Sequence, residues 1–506
     1  MIDFSALLGA FAILGAGLGP WLVVIPGLVI GLIFGAVPGL QISMAMAIFL
    51  PMTLYMDFLQ AILFLTAIFT GGGFGGGIPA ILMNIPGTSS AISTAFDGYP
   101  MARRGEHNEA LGLSLGASSI SVIVGYLLLL ALVQPISYAV LKLGPTEMLV
   151  VILWGLTMIA SLSDGAVSRG LIAGFAGLLA GTIGFSDAGV LRGTMGITVL
   201  MDGIPVVPAM MGMFAASELL KLQDTKYLIA DAKARRVSPR RIAAGMVHAF
   251  RYPGVLLQGS LIGIIVGAIP GVGSSVSNLL SYISAKKRDP NPESFGKGNP
   301  KGVVASESAN SSSEAGSMVT LLALGIPGGG ATAVMLAAFA MHNVTGGPQF
   351  IRDQTDVVYA IILANLGQAL ILVVLGLLLL PLLASLVKVP MNFLIPGVLS
   401  LSVFGAYGLT GNMSGPVTLL VFSAIGWAMR RQGFPIAAAV IGLILGSLGE
   451  TAALHSFQIS GGDPAYLLER PMTLGLIALV LGALLMKPTL RRLHKRRGGR
   501  SEIAAD

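Results

Sequence analysis

The sequence predicts an all-α polytopic membrane protein of about ten to twelve transmembrane helices, some of them broken, arranged as inverted repeats with re-entrant hairpins. Three observations carry this. Of 506 residues 54% are hydrophobic and only 10% charged, with a mean hydropathy of +0.85, where soluble domains carry about 25% charged residues. Uncharged apolar stretches recur along the whole chain at lengths near the roughly 20 residues that one crossing needs. Two Gly/Pro phrases each occur twice. A soluble enzyme, a disordered chain and a collagen are thereby excluded, since the 68 Gly follow no triplet period. The absence of Cys removes disulfides and thiolate chemistry.

Taken in order, Phe4 to Leu18 reads as an uncleaved first helix, because no Lys or Arg precedes Arg103 to form the basic region of a signal peptide. A first repeat (1–220) holds a re-entrant hairpin near 20–55, a broken helix near 73–100, and crossings near 109–134, 146–163, 168–186 and 195–216. A basic connector (221–252) leads to a second repeat (253–486), with a re-entrant hairpin near 253–285 and a broken helix near 314–343. Crossings near 357–386, 391–408, 411–429, 434–450 and 471–486 return the chain to a basic tail, 487–506.

Charge supports this order. Of 30 Lys and Arg, 24 lie in five clusters: Arg103/Arg104, Lys221 to Arg251, Lys286 to Lys301, Arg430/Arg431 and Lys487 to Arg500. An even number of crossings separates consecutive clusters, so all five fit one cytoplasmic face and the C-terminus is expected there, in the inner membrane. The stretch from Arg251 to Lys286 then starts and ends on one side, as a re-entrant hairpin does. At its centre, Gly267-Ala268-Ile269-Pro270-Gly271-Val272-Gly273 cannot stay helical.

The same phrase occurs as Gly35-Ala36-Val37-Pro38-Gly39, 232 residues earlier. Asn84-Ile85-Pro86-Gly87 and Gly325-Ile326-Pro327-Gly328 repeat at an offset of 241. The difference is absorbed by the hydrophilic loop Lys286 to Gly302, whose counterpart is the short turn Tyr55 to Phe58. Basic residues follow the second break in copy one and precede it in copy two, which implies opposite orientation in the membrane.

A half-helix that begins at mid-membrane aims unpaired N–H groups and the positive end of its dipole into the cavity, which suits a carboxylate. Short hydroxyls add donors without bulk. The candidate substrate contacts are Pro38, Gly39, Asn84, Pro86, Gly87, Thr88, Ser89, Ser90, Pro270, Gly271, Gly273, Ser274, Ser275, Pro327, Gly328 and Gly329. Ser43, Ser277, Asn278 and Asn310 supply oxygens for a coupling cation. Gly, Ser and Thr also serve ordinary helix contacts, and the run Gly71 to Gly77 reads as packing. Asp97, Asp202, Glu307 and Glu450 fall near segment ends and read as solvated or capped groups, with Glu314 ambiguous. The five His show no ligand spacing, so no metal beyond a possible sodium ion is predicted.

The break phrases, together with Asp97-Gly98-Tyr99-Pro100-Met101-Ala102-Arg103-Arg104-Gly105, Phe295-Gly296-Lys297-Gly298 and Glu307 to Asn310, resemble the large membrane subunit of the tripartite tricarboxylate transporters, the TctA type. The likeness spans nearly the whole chain, with departures at Gln41, Phe74 and Asn310-Ser311. It implies an inner-membrane subunit that works with a small four-helix membrane subunit and a periplasmic solute-binding protein. Such systems import carboxylates such as citrate with a Na+ or H+ gradient. The fold resemblance further implies elevator-like alternating access. An autonomous carboxylate carrier, a channel and an intramembrane serine hydrolase stand as alternatives, the last needing a His brought beside a Ser.

Overall fold

The computed structural model describes residues 3–38, 40–140, 144–162, 167–186, 189–217, 237–270, 273–386, 391–463 and 465–478. The chain opens with α1 (Phe4–Gly15), α2 (Gly19–Ala36), α3 (Ile42–Phe49), α4 (Phe58–Gly75), α5 (Gly77–Met83), α6 (Ile92–Arg103) and the long α7 (His107–Val140). There follow α8 (Pro145–Leu162), α9 (Val167–Gly181), a small antiparallel hairpin of β1 (Gly184–Phe185) and β2 (Leu191–Arg192), and α10 (Val206–Met211). Then come α11 (Pro239–His248), α12 (Pro253–Gly267), α13 (Gly273–Arg288), α14 (Pro300–Leu324) and α15 (Gly330–Met341). Last are α16 (Pro348–Asp353), α17 (Thr355–Leu386), α18 (Met391–Thr410), α19 (Ser414–Arg431) and α20 (Ile436–Ile459).

Local signals start these helices. Asp57 accepts the Gln60 N–H at 2.9 Å and Asn299 the Lys301 N–H at 2.9 Å as N-caps, and Pro opens α8, α11, α12, α14 and α16, where its missing N–H costs nothing. Among the described residues five helical stretches are long and apolar enough to cross a bilayer: α2, α4 with α5, most of α7, most of α17, and α20. A bent pair adds a sixth, the α11 segment meeting α12 at 84°. The expected crossing at 195–216 is α-helical only from Val206, after a single 3-10 turn at Thr198–Leu200. Before it Gly193, Gly196 and Gly203 take positive φ (68°, 76° and 84°), and Pro205 stands just ahead of α10. The expected sites Gly39 and Gly271, the connector from 221 to 236 and the tail 487–506 lie outside the described residues.

Two compact units result, Met1–Leu141 with Ile204–Gln432, and Lys142–Gly203 with Gly433–Asp506. In the second, α9 and α20 meet backbone to backbone: a Cβ on Gly442 would stand 2.1 Å from the Gly174 carbonyl oxygen, and one on Gly177 2.0 Å from that of Ala439. Glu147 is buried there with Arg470 at 2.9 Å and the Thr473 hydroxyl at 2.8 Å.

The first unit contains the duplication. α2 packs along α4, and α12 packs along α14 in the same register. A Cβ on Gly27, Gly31 or Gly35 would meet the carbonyl oxygens of Phe64, Ile68 and Gly72 at 2.6, 2.3 and 2.5 Å. One on Gly259, Gly263 or Gly267 would meet those of Ala305, Ala309 and Ser313 at 3.1, 2.5 and 2.4 Å. Each residue of the second set is the counterpart of the first at the sequence offsets of 232 and 241. Only glycine lets helices approach this closely. α12 and α13 double back on one another, since a Cβ on Gly259 would also lie 3.1 Å from Ser281 Oγ. The second broken element begins earlier than hydropathy indicated, because α14 is one continuous buried helix from Pro300.

Candidate functional site

Both Ile-Pro-Gly breaks are built alike. α5 ends at Asn84 with φ 61° and α14 at Gly325 with φ 68°. Asn84 donates its N–H to Ala80 O at 3.2 Å and Ile85 to Pro79 O at 3.4 Å, while Gly325 donates to Leu321 O at 3.1 Å and Ile326 to Thr320 O at 3.4 Å. This is the left-handed helix end that Asn and Gly tolerate and other residues resist. Pro86 and Pro327 then forbid resumption of the helix. Gly87 donates to Gly76 O at 3.0 Å and lies where a Cβ would collide with Gly35 O, while a Cβ on its counterpart Gly328 would stand 3.0 Å from Ser317 Cβ.

The hairpin tips meet these breaks reciprocally. At the start of α13, Ser275 donates to Ser89 Oγ at 3.0 Å, just ahead of α6. Near the start of α3, Ser43 faces Gly330, the first residue of α15, where a Cβ would lie 3.3 Å from Ser43 Cβ. Ser43 and Ser275 are counterparts at the offset of 232, and Ser89 and Gly330 at 241. The start of each hairpin's second helix therefore sits on the second half-helix of the other copy, and the four elements meet in two pairs.

The remaining predicted residues divide. Ser89 is exposed, Ser274 and Ser275 are half-buried, and Thr88 and Ser90 are buried with their hydroxyls 2.9 Å apart. Asn84 is exposed and Pro86 half-buried, whereas Pro38, Pro270, Pro327 and Gly328 are buried and shape the turns. Gly329 donates its N–H to Thr332 Oγ1 at 2.9 Å as the cap of α15, and Gly273 opens α13. Of the oxygens expected to hold a cation, Ser277 donates to Ser274 O at 2.9 Å, Asn310 donates through Nδ2 to Gly73 O at 3.0 Å, and Asn278 is buried.

Beside the breaks lies polar chemistry that the sequence reading missed. Glu307 is not at a segment end but within α14, fully buried, accepting from Thr94 Oγ1 at 2.5 Å and Ser118 Oγ at 3.0 Å. Glu314, two turns further, is 2% exposed and lies 2.8 Å from the Thr70 hydroxyl and 2.8 Å from the Tyr126 hydroxyl. Gln368 of α17 donates through Nε2 to Thr70 Oγ1 at 2.6 Å. Residues 300–313 read as hydrophilic, so no apolar run marked this helix. A heptad spacing of two Glu between Ser-rich turns is the one signal that could have found them.

Asp97 is fully buried and capped: its Oδ1 accepts the N–H groups of Gly296, Gly298 and Asn299 at 2.8, 2.7 and 2.8 Å, and its Oδ2 accepts the Tyr282 hydroxyl at 2.9 Å. Arg104 donates to the carbonyls of Lys297 and Gly298. The Asp97–Arg104 phrase is thus a latch on the 295–299 loop. His248 Nδ1 stands 3.0 Å from Glu109 Oε1, and Ser238 donates its N–H to Asn108 at 2.8 Å. Arg104 is thereby joined to the Lys297 loop, and the α11 segment to the start of α7. A cleft of about 470 Å³ opens beside the latch, lined by Asn84, Tyr99, Tyr282, Lys286 and Phe295 among others.

Such an arrangement, interrupted helices seated on one another within an apolar helical unit, defines a polytopic helical membrane protein whose polar groups converge on its helix breaks. The chain belongs to the tripartite tricarboxylate transporter TctA family, whose profile matches residues 21–441. It is accordingly the large membrane subunit of a tripartite transporter. Over 471 residues it is 31% identical to an uncharacterized 52.8 kDa protein in the TAR-I ttuC' 3' region of Agrobacterium vitis, covering 92% of this chain and 93% of that protein. Over 234 residues it is 30% identical to an uncharacterized protein in the TAR-II ttuC' 3' region of the same organism, covering 45% of this chain and 96% of that protein. No solved structure matches.

Proposed function

We propose that this subunit imports an organic carboxylate of tricarboxylate-like chemistry, driven by a cation gradient and supplied by a periplasmic solute-binding protein, with a small four-helix membrane subunit alongside. The two copies are inverted in the inner membrane, the basic face is cytoplasmic, and the breaks travel with the substrate in an elevator-like step. One observation carries this reading: the start of each hairpin's second helix sits on the half-helix of the other copy, Ser275 on Ser89 and Ser43 on Gly330. Each contact sets a hydroxyl of one copy beside a helix start of the other, and this supports a site of the chemistry that holds a carboxylate without a fixed positive charge. A hydrolase fits less well, since His342 packs its ring 6.0 Å from that of Phe58 and its Nε2 bonds to no Ser.

The test is uptake of labelled di- and tricarboxylates into proteoliposomes, with and without an ion gradient and the solute-binding protein. Uptake that needs both supports the reading. Robust uptake without the binding protein identifies an autonomous carrier, and conductance far above carrier turnover identifies a channel.

A further inference from the structure

Glu314 and Glu307 share α14 and both accept hydroxyls of copy one, Glu307 from Thr94 and Ser118, but Glu314 is also linked to α17. Its carboxyl reaches Thr70 on α4 of copy one and Tyr126 on α7, and through Thr70 it reaches Gln368 on α17. The positions equivalent to Glu307 and Glu314 in copy one are Thr66 and Gly73, so the acids exist on one side of the duplication only. Among the described residues no positive charge faces Glu314. α4, α12 and α15 carry no ionisable residue, and α17 carries only Asp356 and Tyr359, both near its start. On α6 Asp97 is bound to the 295–299 loop, and on α16 Arg352 pairs with Asp353 at 2.7 Å. Tyr99 of α6 and Tyr282 and Lys286 of α13 line the cleft by that loop, while Arg103 ends α6, Lys287 and Arg288 end α13, and Arg288 donates to Gln258 Oε1 at 3.2 Å. His107 and Glu109 sit in the first turn of α7, five turns from Tyr126. A bare carboxylate buried in a bilayer core is expensive unless a positive charge neutralises it. A second feature points the same way: Gln368 is fully buried beside the site, and its Oε1 accepts no hydrogen bond from the described residues.

We propose that Glu314, with Thr70, Tyr126 and Gln368 around it, is a proton-binding site built across the two copies, and that it is loaded and emptied in the transport cycle. The second half of this statement rests on the carrier reading above; the first does not. The step is a simple one: the carboxylate takes a proton from a hydronium ion, leaving water, and the acid stays held by the Tyr126 and Thr70 hydroxyls 2.8 Å away.

Infrared difference spectroscopy on the purified full chain at neutral pH tests the site directly, with and without added sodium. The expected result is a carbonyl stretch of a protonated carboxylic acid that disappears in Glu314→Gln and shifts in Glu314→Asp. Absence of that band, its persistence in Glu314→Gln, or a sodium-induced change in the carboxylate bands that only Glu314→Gln abolishes, each overturns the proposal. Thermal melting identifies a variant that has failed to fold, and Glu314→Asp then decides. In proteoliposomes a pH gradient should accelerate wild-type uptake by tenfold or more, and Glu314→Gln should lose that acceleration. Equal acceleration in both overturns the cycle role. A wild-type chain that moves no substrate with its partners present fails the carrier reading instead, and the infrared band still decides the proton site.

Discussion

Asn84 and Gly325 close equivalent helices in the same left-handed conformation, yet they are not interchangeable. Asn84 is exposed, so Asn84→Gly should be nearly neutral, while Asn84→Val places a β-branched residue at φ 61° at a cost of about 1–2 kcal/mol. Gly325 meets a second constraint, because a Cβ there would lie 2.8 Å from the Gly346 carbonyl oxygen. Gly325→Asn should therefore destabilise by about 1–3 kcal/mol although Asn suits the dihedral. Melting temperatures in detergent check this, and a harmless Gly325→Asn would show that the 346–347 segment yields. At this scale the sequence was informative. The phrase Asn/Gly-Ile-Pro-Gly names a residue that accepts positive φ and then one that cannot continue a helix. What it could not show is the carbonyl of Gly346, which arrives from 21 residues further along the chain.

At the level of elements, the latch of α6 on the 295–299 loop has a measurable strength. Asp97 accepts three backbone N–H groups and a Tyr hydroxyl, and losing such charge-assisted bonds costs on the order of 3 kcal/mol. Asp97→Ala should free the loop, so that trypsin cuts at Lys297 in the folded protein many times faster than in wild type. Asp97→Asn should fall between, and unchanged cleavage would mean that Arg104 alone holds the loop. The segments legible in the sequence were those whose outside is apolar, such as α2, α7, α17 and α20, whereas α4, buried along most of its length, fell between two expected elements. α14 was cut short because its polar residues face inward. Ser308 and Ser312 return their hydroxyls to carbonyls one turn back at 2.6 and 2.7 Å, and Glu307 and Glu314 find hydroxyls on neighbouring helices. A hydropathy average counts such groups as water-seeking, whereas here each is satisfied inside.

For the molecule as a whole, the chain's lack of Cys makes its two reciprocal contacts directly testable, since any introduced pair reports alone. The gap of 3.3 Å between Ser43 Cβ and a Cβ at residue 330 is close to the roughly 3.5–4.5 Å of a disulfide. Oxidation should therefore cross-link Ser43→Cys with Gly330→Cys, and also Ser89→Cys with Ser275→Cys. Either bond should abolish uptake, with reductant restoring it. Cross-linked protein that transports normally would remove relative movement of these elements from the mechanism. The orientation of the copies is the larger question, and the same Cys-free background answers it. Tyr55, 92% exposed in the turn before α4, and Glu293, exposed in the loop before α14, occupy corresponding places in the two copies. Under inversion, Tyr55→Cys and Glu293→Cys must react with a membrane-impermeant thiol reagent from opposite sides of the membrane. Glu293→Cys must share its side with a Cys at Arg240, because the latch joins Arg104 to the Lys297 loop and the His248–Glu109 contact joins the α11 segment to the start of α7. Were Tyr55→Cys and Glu293→Cys labelled in the same vesicle orientation, the copies would be parallel. The half-helix ends of α6 and α15 would then face one side together, and the reciprocal seating could not serve a site that opens alternately to each side.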